Sequence, residues 1–203
     1  MAKKRKSGGR EQDHFALKAK ALGYPARSVF KLEEIDRRTA LFKSAKHVLD
    51  LGAAPGSWSL YASRKLGQQG KILAIDLNTL SLPPLKNLHF IQGDIYKIDS
   101  AEMACPEGYD VVMSDMAPST TGTKQLDHFR SVELVLHALE LAKTMLNPEG
   151  RFVAKIFQGP DFDSCYDQVK KTFKKTRVIR PEAVRKESVE VFLYGQGLKT
   201  TTA

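Results

Sequence analysis

The feature that most constrains the fold of this chain is the alternation of short apolar runs with helical patterns between residues 47 and 174. Strands are predicted at 47–51, 71–76, 88–92, 109–114 and 151–157, and helices at 57–66, 125–146 and 162–174. Buried parallel strands read as continuous apolar runs, and their alternation with helices is typical of parallel βαβ units. The pattern therefore predicts an α/β protein with an open sheet and helices on both faces.

Two further strands, predicted near 176–179 and 188–194, close the pattern. Too little chain separates them for a crossover helix, so we expect them to pair antiparallel. The expected sheet is a seven-stranded, mixed, Rossmann-like sheet whose last strand is antiparallel. In such open sheets, ligands bind beyond the C-terminal ends of the strands, and the residues there decide the function.

Charge is distributed unevenly along the 203 residues, whose net charge is +9. Residues 1–38 carry +6, residues 165–186 carry another +6, and the remainder carries −3. Two basic segments around a slightly acidic middle are expected when one face meets a polyanion such as nucleic acid. A solvated, lysine-rich surface is the alternative interpretation of either segment taken alone.

Composition also sets the expected domain boundaries. Residues 1–10 are predicted to form a disordered basic arm, 11–197 a single domain that begins with basic helices over 11–40, and 198–203 a flexible tail. No apolar run approaches the roughly 20 residues of a membrane helix, and no hydrophobic segment follows the basic start. Cys105 and Cys165 are too few and too isolated for a disulfide framework or a zinc site. We expect a cytoplasmic monomer without membrane attachment or metal.

The turn after the first strand, residues 50–58 (DLGAAPGSW), is the first candidate ligand contact. Gly52 and Gly56 let the backbone approach a ligand, and the following helix presents free N–H groups. Alanine stands where the dinucleotide fingerprint requires its second glycine, which disfavours a nicotinamide-dependent oxidoreductase. A P-loop is excluded because Gly-Lys-Ser/Thr is missing.

Acidic residues end the next three strands. Asp76 can accept hydrogen bonds from both hydroxyls of a ribose, and Asp94 is placed to meet the amine and ring edge of an adenine. These positions fit an adenosine-bearing ligand without a pyrophosphate, such as S-adenosylmethionine, although the acids of a generic Rossmann-like turn could be incidental. Asp115 would lie beside the methyl donor, but alone it is as compatible with a helix cap.

Two charged residues interrupt the closing strands. Lys155 stands inside an otherwise apolar run, where an unpaired charge would be very costly, unless it reaches water from an edge strand. Glu190 interrupts the last strand in the same way, and alternation also allows it to be an outward-facing residue.

Taken in order, these segments resemble the FtsJ/RlmE (RrmJ) family of RNA ribose 2′-O-methyltransferases over about residues 11–197. The resemblance is carried by residues 23–32 (GYPARSVFKL), 50–58, 114–118 (SDMAP), 155–159 (KIFQG) and 188–190 (SVE). The glycine turn alone indicates only a methyltransferase, whereas the ordered set is specific. Two positions depart from the pattern: Ser57 stands where a second glycine is usual, and Val189 where arginine is common.

The resemblance implies a class I S-adenosylmethionine-dependent methyltransferase fold and a catalytic tetrad with Lys155 as the general base. The implied tetrad is Lys31, Asp115, Lys155 and Glu190, and the implied S-adenosylmethionine contacts are Gly52, Gly56, Trp58, Asp76, Asp94 and Asp115. A small single-domain member points to a uridine 2′-hydroxyl in the A-loop of 23S rRNA in the large ribosomal subunit. A tRNA ribose methyltransferase and a non-catalytic ribosome-assembly factor are the alternatives, and the complete tetrad disfavours the second.

Overall fold

The computed structural model describes residues 8–118, 122–185 and 187–199. The helices in these ranges are α1 (Gly8–Ala21), α2 (Val29–Thr39), α3 (Ser57–Leu66), α4 (Lys124–Met145) and α5 (Phe162–Thr172), with a short 3-10 helix at Gly67–Gln69. The strands are β1 (His47–Leu51), β2 (Lys71–Asp76), β3 (Leu88–Gln92), β4 (Tyr109–Ser114), β5 (Leu146–Phe157), β6 (Phe173–Ile179) and β7 (Glu190–Leu198).

The strands form one seven-stranded sheet in the order β3-β2-β1-β4-β5-β7-β6. Neighbours from β3 to β5 pair in parallel, whereas β7 pairs antiparallel with both β5 and β6. The predicted mixed sheet with an antiparallel last strand is therefore confirmed. Because β7 lies between β5 and β6, the last strand is an interior strand of the sheet.

Helices cover both faces of the sheet, and each face has its own apolar core. Leu139 of α4 and Val169 of α5 are fully buried in one core, together with inward residues of β1, β4 and β5. Leu32 of α2 and Ala62 of α3 are fully buried in the other core. This three-layer arrangement is the Rossmann-like architecture predicted from the sequence.

Several boundaries differ from those predicted. Residues 1–7 of the predicted arm and 200–203 of the predicted tail lie outside the described residues, and α1 begins at Gly8 rather than at residue 11. Helix α5 ends at Thr172 because Phe173 is buried against the Phe152 ring and starts β6. Strand β7 continues past Gly195, where the Phe173 ring occupies the space that a side chain would fill. Within the described ranges, no helix is long and apolar enough to cross a membrane.

Candidate active site

The C-terminal ends of the parallel strands β1, β2, β3 and β4 meet at one edge of the sheet, and a cavity of about 340 Å³ lies there. Four residues predicted to contact the cofactor line it: Gly52, Asp76, Asp94 and Asp115. Apolar and aromatic side chains complete its wall: Ile75, Ile95, Tyr96, Met116 and Leu134. A cavity with an apolar wall and a few convergent carboxylates is suited to a nucleoside-sized ligand.

Gly52 keeps the turn after β1 in close contact with the turn after β4. Its φ is +74°, in the left-handed region that favours glycine, and a Cβ would lie 2.5 Å from Met116 Cγ and 2.9 Å from Met116 Cα. No side chain fits at this position without moving the backbone, so a glycine here holds the floor of the cavity in place.

The carboxylates of Asp76 and Asp94 are oriented by backbone N–H groups. Asp76 Oδ2 accepts a hydrogen bond from the Ala54 N–H at 2.9 Å, and Asp76 Oδ1 accepts one from the Asn78 N–H at 2.7 Å. Asp94 Oδ1 accepts from the Tyr96 N–H at 3.1 Å. Asp76 Oδ1 also accepts from the Asn78 side-chain amide at 3.2 Å, whereas Asp76 Oδ2 and the Asp94 oxygens keep lone pairs that can accept hydrogen bonds from a ligand.

Two other predicted cofactor residues, Gly56 and Trp58, do not line the cavity. Gly56 precedes α3 with a φ of +111°, and a Cβ there would lie 2.5 Å from Leu82 Cδ1. The Trp58 side chain is buried, its indole N–H donates to the Ser28 carbonyl at 3.0 Å, and its ring packs on Phe192. The Trp58 side chain thus joins α2, α3 and β7, and only its backbone lies in the first turn of α3, where N–H groups lack partners within the helix.

Lys155 and Asp115 form a nearly buried ion pair where β4 and β5 lie side by side. Lys155 Nζ lies 2.9 Å from Asp115 Oδ1 and also donates to the Asp115 backbone carbonyl. The Lys155 side chain is 8% exposed and that of Asp115 is 17% exposed. The alternative of an edge-strand lysine reaching water is therefore wrong, because β5 lies between β4 and β7.

Lys31 and Glu190 form a second ion pair close to the first. It joins α2 to the first residue of β7, and both side chains are largely buried. Lys155 is the register partner of Phe192 in the β5–β7 ladder, so Glu190 is its diagonal neighbour on the same face, at about 7–8 Å between backbones. Lys31 Nζ lies 6.0 Å from the centroid of the Phe192 ring. The fold thus brings the four residues of the predicted tetrad to one face of the sheet as two ion pairs.

Asp50 was not among the predicted site residues, but the structure shows that its carboxyl group is buried close to the cavity-lining residues Asp76 and Asp115. It is completely buried in β1, Ser59 Oγ donates to its Oδ2 at 2.5 Å, and its Oδ1 has no hydrogen-bond partner among the described residues. Burial, and to a lesser degree the charges of Asp115 and Asp76, raise the pKa of Asp50 to about 7. The signal in the sequence was an acidic residue inside an apolar run two positions before Gly52.

The two basic segments of the sequence meet beside Lys31 and Glu190. The Glu182 N–H donates to Glu34 Oε2 at 2.7 Å, and Arg27 Nη2 donates to the Ala183 carbonyl at 3.3 Å. The pKa of Arg27 is lowered by burial and by the neighbouring cation Arg185, and raised in part by Glu190. Arg27 and Arg185, which are far apart in the sequence, therefore lie near each other and near Glu190, and these two arginines are termed the cationic edge.

Comparison with known proteins identifies the family of the chain that forms this cavity and brings these four charged residues together. A family model described as FtsJ-like methyltransferase matches residues 24–198 of the chain. The chain belongs to the FtsJ-like methyltransferase family. The matched range contains every predicted site residue of the chain, from Lys31 to Glu190.

Curated relatives agree with this membership. A Sorangium cellulosum protein named Ribosomal RNA large subunit methyltransferase E is 47% identical over 195 residues, which is 96% of this chain and 92% of the relative. A Bdellovibrio bacteriovorus protein of the same name is 45% identical over 192 residues, 93% of this chain and 97% of the relative. The resemblance to the FtsJ/RlmE family, recognised in the sequence from short segments, thus extends over nearly the whole chain.

Solved structures agree with the Rossmann-like methyltransferase fold. A Plasmodium falciparum protein, provisionally assigned as a ribosomal RNA methyltransferase, superposes with a TM-score of 0.75 and 26% identity over 86% of this chain and 98% of that chain. Human methyltransferase-like protein 13, in complex with SAH, has a TM-score of 0.56 and 20% identity over 80% of this chain and 76% of that chain, which shows a likeness of fold alone.

Proposed function

We propose that this chain transfers the methyl group of S-adenosylmethionine to a ribose 2′-hydroxyl of RNA, with a uridine in the A-loop of 23S rRNA as the target. The observation that carries the proposal is the double role of Asp115, which lines the cavity and also holds Lys155. A candidate base is thereby fixed at the edge of the cavity, where the methyl donor and the acceptor hydroxyl would have to meet.

In this proposal the cavity holds the adenosyl part of the cofactor. Asp76 accepts hydrogen bonds from the ribose hydroxyls, Asp94 meets the adenine edge, and Gly52 allows the backbone to approach. Gly56 and Trp58 act through the backbone at the start of α3 rather than through a side chain in the cavity. The bound cofactor supplies a methyl group on a positively charged sulfur, so the acceptor needs only to lose its proton as it attacks.

Lys155 would remove that proton. In the structure Lys155 Nζ is held in an ion pair with Asp115, through hydrogen bonds to the Asp115 carbonyl and to Asp115 Oδ1. To act as the base, Lys155 would have to react in its neutral form, whose amine has two N–H donors and one lone pair. The two Asp115 oxygens would then hold both N–H groups and leave the lone pair to accept the proton of a 2′-hydroxyl. A base positioned in this way contributes about 10²–10⁴-fold to a rate.

Lys31 and Glu190 would position the acceptor. Their ion pair is largely buried on the same face of the sheet as Lys155, and each group can form a further hydrogen bond with a hydroxyl. In-line placement of the hydroxyl oxygen, the methyl carbon and the sulfur would supply much of the remaining acceleration.

The RNA substrate is supported by the cationic edge beside the second ion pair and by the curated relatives, which are named as methyltransferases of large-subunit ribosomal RNA. The ribose position, the uridine and the A-loop rest on the resemblance seen in the sequence. We further propose that the chain acts as a cytoplasmic monomer on the large ribosomal subunit.

The catalytic part of the proposal is tested with Lys155→Ala. We expect kcat for methyl transfer to large subunits to fall by about 10²–10⁴-fold, while the dissociation constant for S-adenosylmethionine stays close to that of the wild type. Lys143→Ala, an exposed lysine near the end of α4, is the matched control and should retain full activity. Undiminished turnover in Lys155→Ala would remove Lys155 from the mechanism.

The substrate is tested by mapping ribose methylation across rRNA and tRNA in cells with and without the protein. Loss of one 2′-O-methyl group in 23S rRNA on removal of the protein is the expected result. Loss of a tRNA modification instead would favour the tRNA methyltransferase. An unchanged map, together with defective large subunits, would favour the assembly factor.

A further inference from the structure

A second cluster of reactive side chains lies at the opposite edge of the sheet from the active site. His47 begins β1, and Cys105 and Glu107 lie in the loop just before β4. Their ligand atoms all lie within 4.8 Å of one another, at a cavity of about 260 Å³ whose wall also includes His89. The six residues of β4 lie between this cluster and Asp115, and at about 3.3 Å per residue they span about 20 Å.

We propose that His47, Cys105 and Glu107 form a binding site for a thiophilic divalent cation such as Zn²⁺, with water as the fourth ligand. Imidazole nitrogen, thiolate sulfur and carboxylate oxygen are the three donor types that Zn²⁺ takes in proteins, at about 2.0–2.3 Å. Donor atoms of a tetrahedral site then lie about 3.3–3.8 Å apart. Side-chain rotations that move the ligand atoms by about 1 Å would bring them to these distances. The side chains have room to rotate, because His47 and Cys105 are only half-buried and Glu107 is exposed.

The contacts within the cluster show which groups face the Glu107 carboxylate and the Cys105 thiol in the structure. Two acceptors lie within reach of the Cys105 thiol, Glu107 Oε2 at 3.6 Å and the Gly108 carbonyl at 3.5 Å, and Lys71 Nζ lies 3.8 Å from Glu107 Oε1. Burial and the Glu107 carboxylate raise the pKa of Cys105, so the thiol keeps its proton. A divalent cation would bind the Cys105 sulfur, and the thiol proton would leave to solvent. The cation would also replace Lys71 as the positive charge that faces Glu107, since the Lys71 side chain is 71% exposed and can move away.

The spacing of residues in the sequence concealed this cluster. His47 and Cys105 are far apart along the chain and match no metal-binding motif, and the prediction of no zinc site considered only the number and the spacing of the cysteines. The parallel pairing of β1 with β4 brings their N-terminal ends together, which places His47 next to the loop that holds the other two residues.

The test uses tag-free, full-length protein that has been stripped of metal with a chelator and titrated with Co²⁺. We expect a sulfur-to-cobalt charge-transfer band and the intense visible bands of tetrahedral Co²⁺, both bleached by Zn²⁺, which binds such sites more tightly. Cys105→Ser should abolish the charge-transfer band. Losing even an outer-shell partner costs about 10–100-fold in metal affinity, so His47→Ala and Glu107→Gln should weaken Co²⁺ binding by at least that much.

Two matched controls separate this site from adventitious binding. Cys165→Ser changes a thiol that is buried in α5 on a core of the sheet, and His14→Ala changes an exposed histidine on α1. Both variants should retain the bands. In a second measurement that does not need the spectra, Zn²⁺ should raise the Tm of the wild type but not that of Cys105→Ser. Absence of the charge-transfer band in the wild type, or its retention in Cys105→Ser, would overturn the proposal.

Discussion

At the scale of single residues, the buried Asp50 should make the stability of the fold depend on pH, because a fully buried carboxyl group resists ionisation. Its pKa of about 7 in the folded chain lies above the value of about 3.9 for an unfolded aspartate. Between these values the folded state holds more protons than the unfolded state, so the contribution of Asp50 to stability falls as the pH rises. It is fully present below about pH 4 and is lost as the pH rises through about 7.

We expect Asp50→Asn to remove this pH dependence, because asparagine cannot ionise and keeps an oxygen that can accept from Ser59. The difference in unfolding free energy between the variant and the wild type should shift in favour of the variant from about pH 5 to about pH 8, by a few kcal/mol at most. Urea denaturation at several pH values measures it, and the subtraction cancels the other carboxylates. A difference that stays constant with pH would contradict the assignment.

We expect Asp76 to act in cofactor binding rather than in the chemical step. Asp76→Ala should raise the dissociation constant of S-adenosylmethionine by about 10–100-fold, since hydrogen bonds to a charged group contribute about 1.5–3 kcal/mol. With saturating cofactor, kcat should change little. Isothermal titration and steady-state kinetics separate the two effects, and Asp99→Ala, an exposed aspartate that bonds its own loop, is the control. A loss confined to kcat would place Asp76 in the chemistry instead.

At the scale of elements, the C-terminal end of β5 is fixed to α4 by His128. The Asp161 N–H donates to His128 Nε2 at 3.0 Å, so the proton of the neutral ring is on Nδ1, which donates to the Phe157 carbonyl at 2.8 Å. The ring also fills the space beside Gly159, where a Cβ would lie 2.5 Å from His128 Cγ. Since Lys155 lies two residues before Phe157, this contact holds the end of the strand that carries the proposed base.

His128→Ala should therefore destabilise the fold and reduce turnover together. It leaves the Phe157 carbonyl and the Asp161 N–H without their partner, at a cost of about 1–3 kcal/mol for each group that stays buried. Chemical denaturation and kcat measure the two effects, with Glu140→Ala, an exposed position of the same helix, as the control. A variant as stable and active as the wild type would show that the contact is dispensable.

Elements were predictable from the sequence where local signals agree. Strands β1 to β4 have the predicted bounds, because each is an apolar run ended by glycine or an acidic residue. Strand β5 begins at Leu146 instead of residue 151, since Leu146 pairs with Tyr109 across an irregular register. The last strand was predicted near 188–194, whereas β7 continues to Leu198 because the Phe173 ring packs beside Gly195. Such differences depend on contacts between distant segments, which a local pattern does not contain.

The candidate site was also predictable from the sequence only where local signals decide it, and not where contacts between distant segments do. The motifs predicted which residues gather at the cavity, as Asp76 and Asp115 show, because strand ends converge by topology. They did not predict that the Trp58 side chain packs against Phe192, since burial on the helical face depends on how α2 and β7 are placed. The catalytic roles themselves remain predictions.

At the scale of the whole molecule, the fold collects positive charge that the sequence keeps apart. Arg27 from the first basic segment and Arg185 from the second lie near one another and near Glu190. Arg185→Ala should weaken RNA binding at low salt and reduce the slope of log affinity against log salt by about 0.7–1, as expected for one lost phosphate contact. The affinity for S-adenosylmethionine should not change.

Filter binding across a salt series measures this effect. Lys143→Ala removes the same charge from α4, which packs on the opposite face of the sheet, and should leave the slope unaltered. Equal slopes for Arg185→Ala and the wild type would place the RNA elsewhere on the surface.

The interior position of β7 sets the order in which a growing chain can complete itself. Synthesis delivers β6 before β7, yet β6 bonds only to β7 within the described sheet, so it must wait beside an open edge of β5. Lys31 likewise leaves the ribosome long before Glu190, its ion-pair partner. A nascent chain that stops short of β7 therefore leaves β5 and β6 without their shared neighbour, and it lacks Glu190 of the proposed tetrad. Completion of the sheet and of the proposed tetrad thus depends on the synthesis of β7, and chains that lack β7 expose an unpaired strand that favours aggregation.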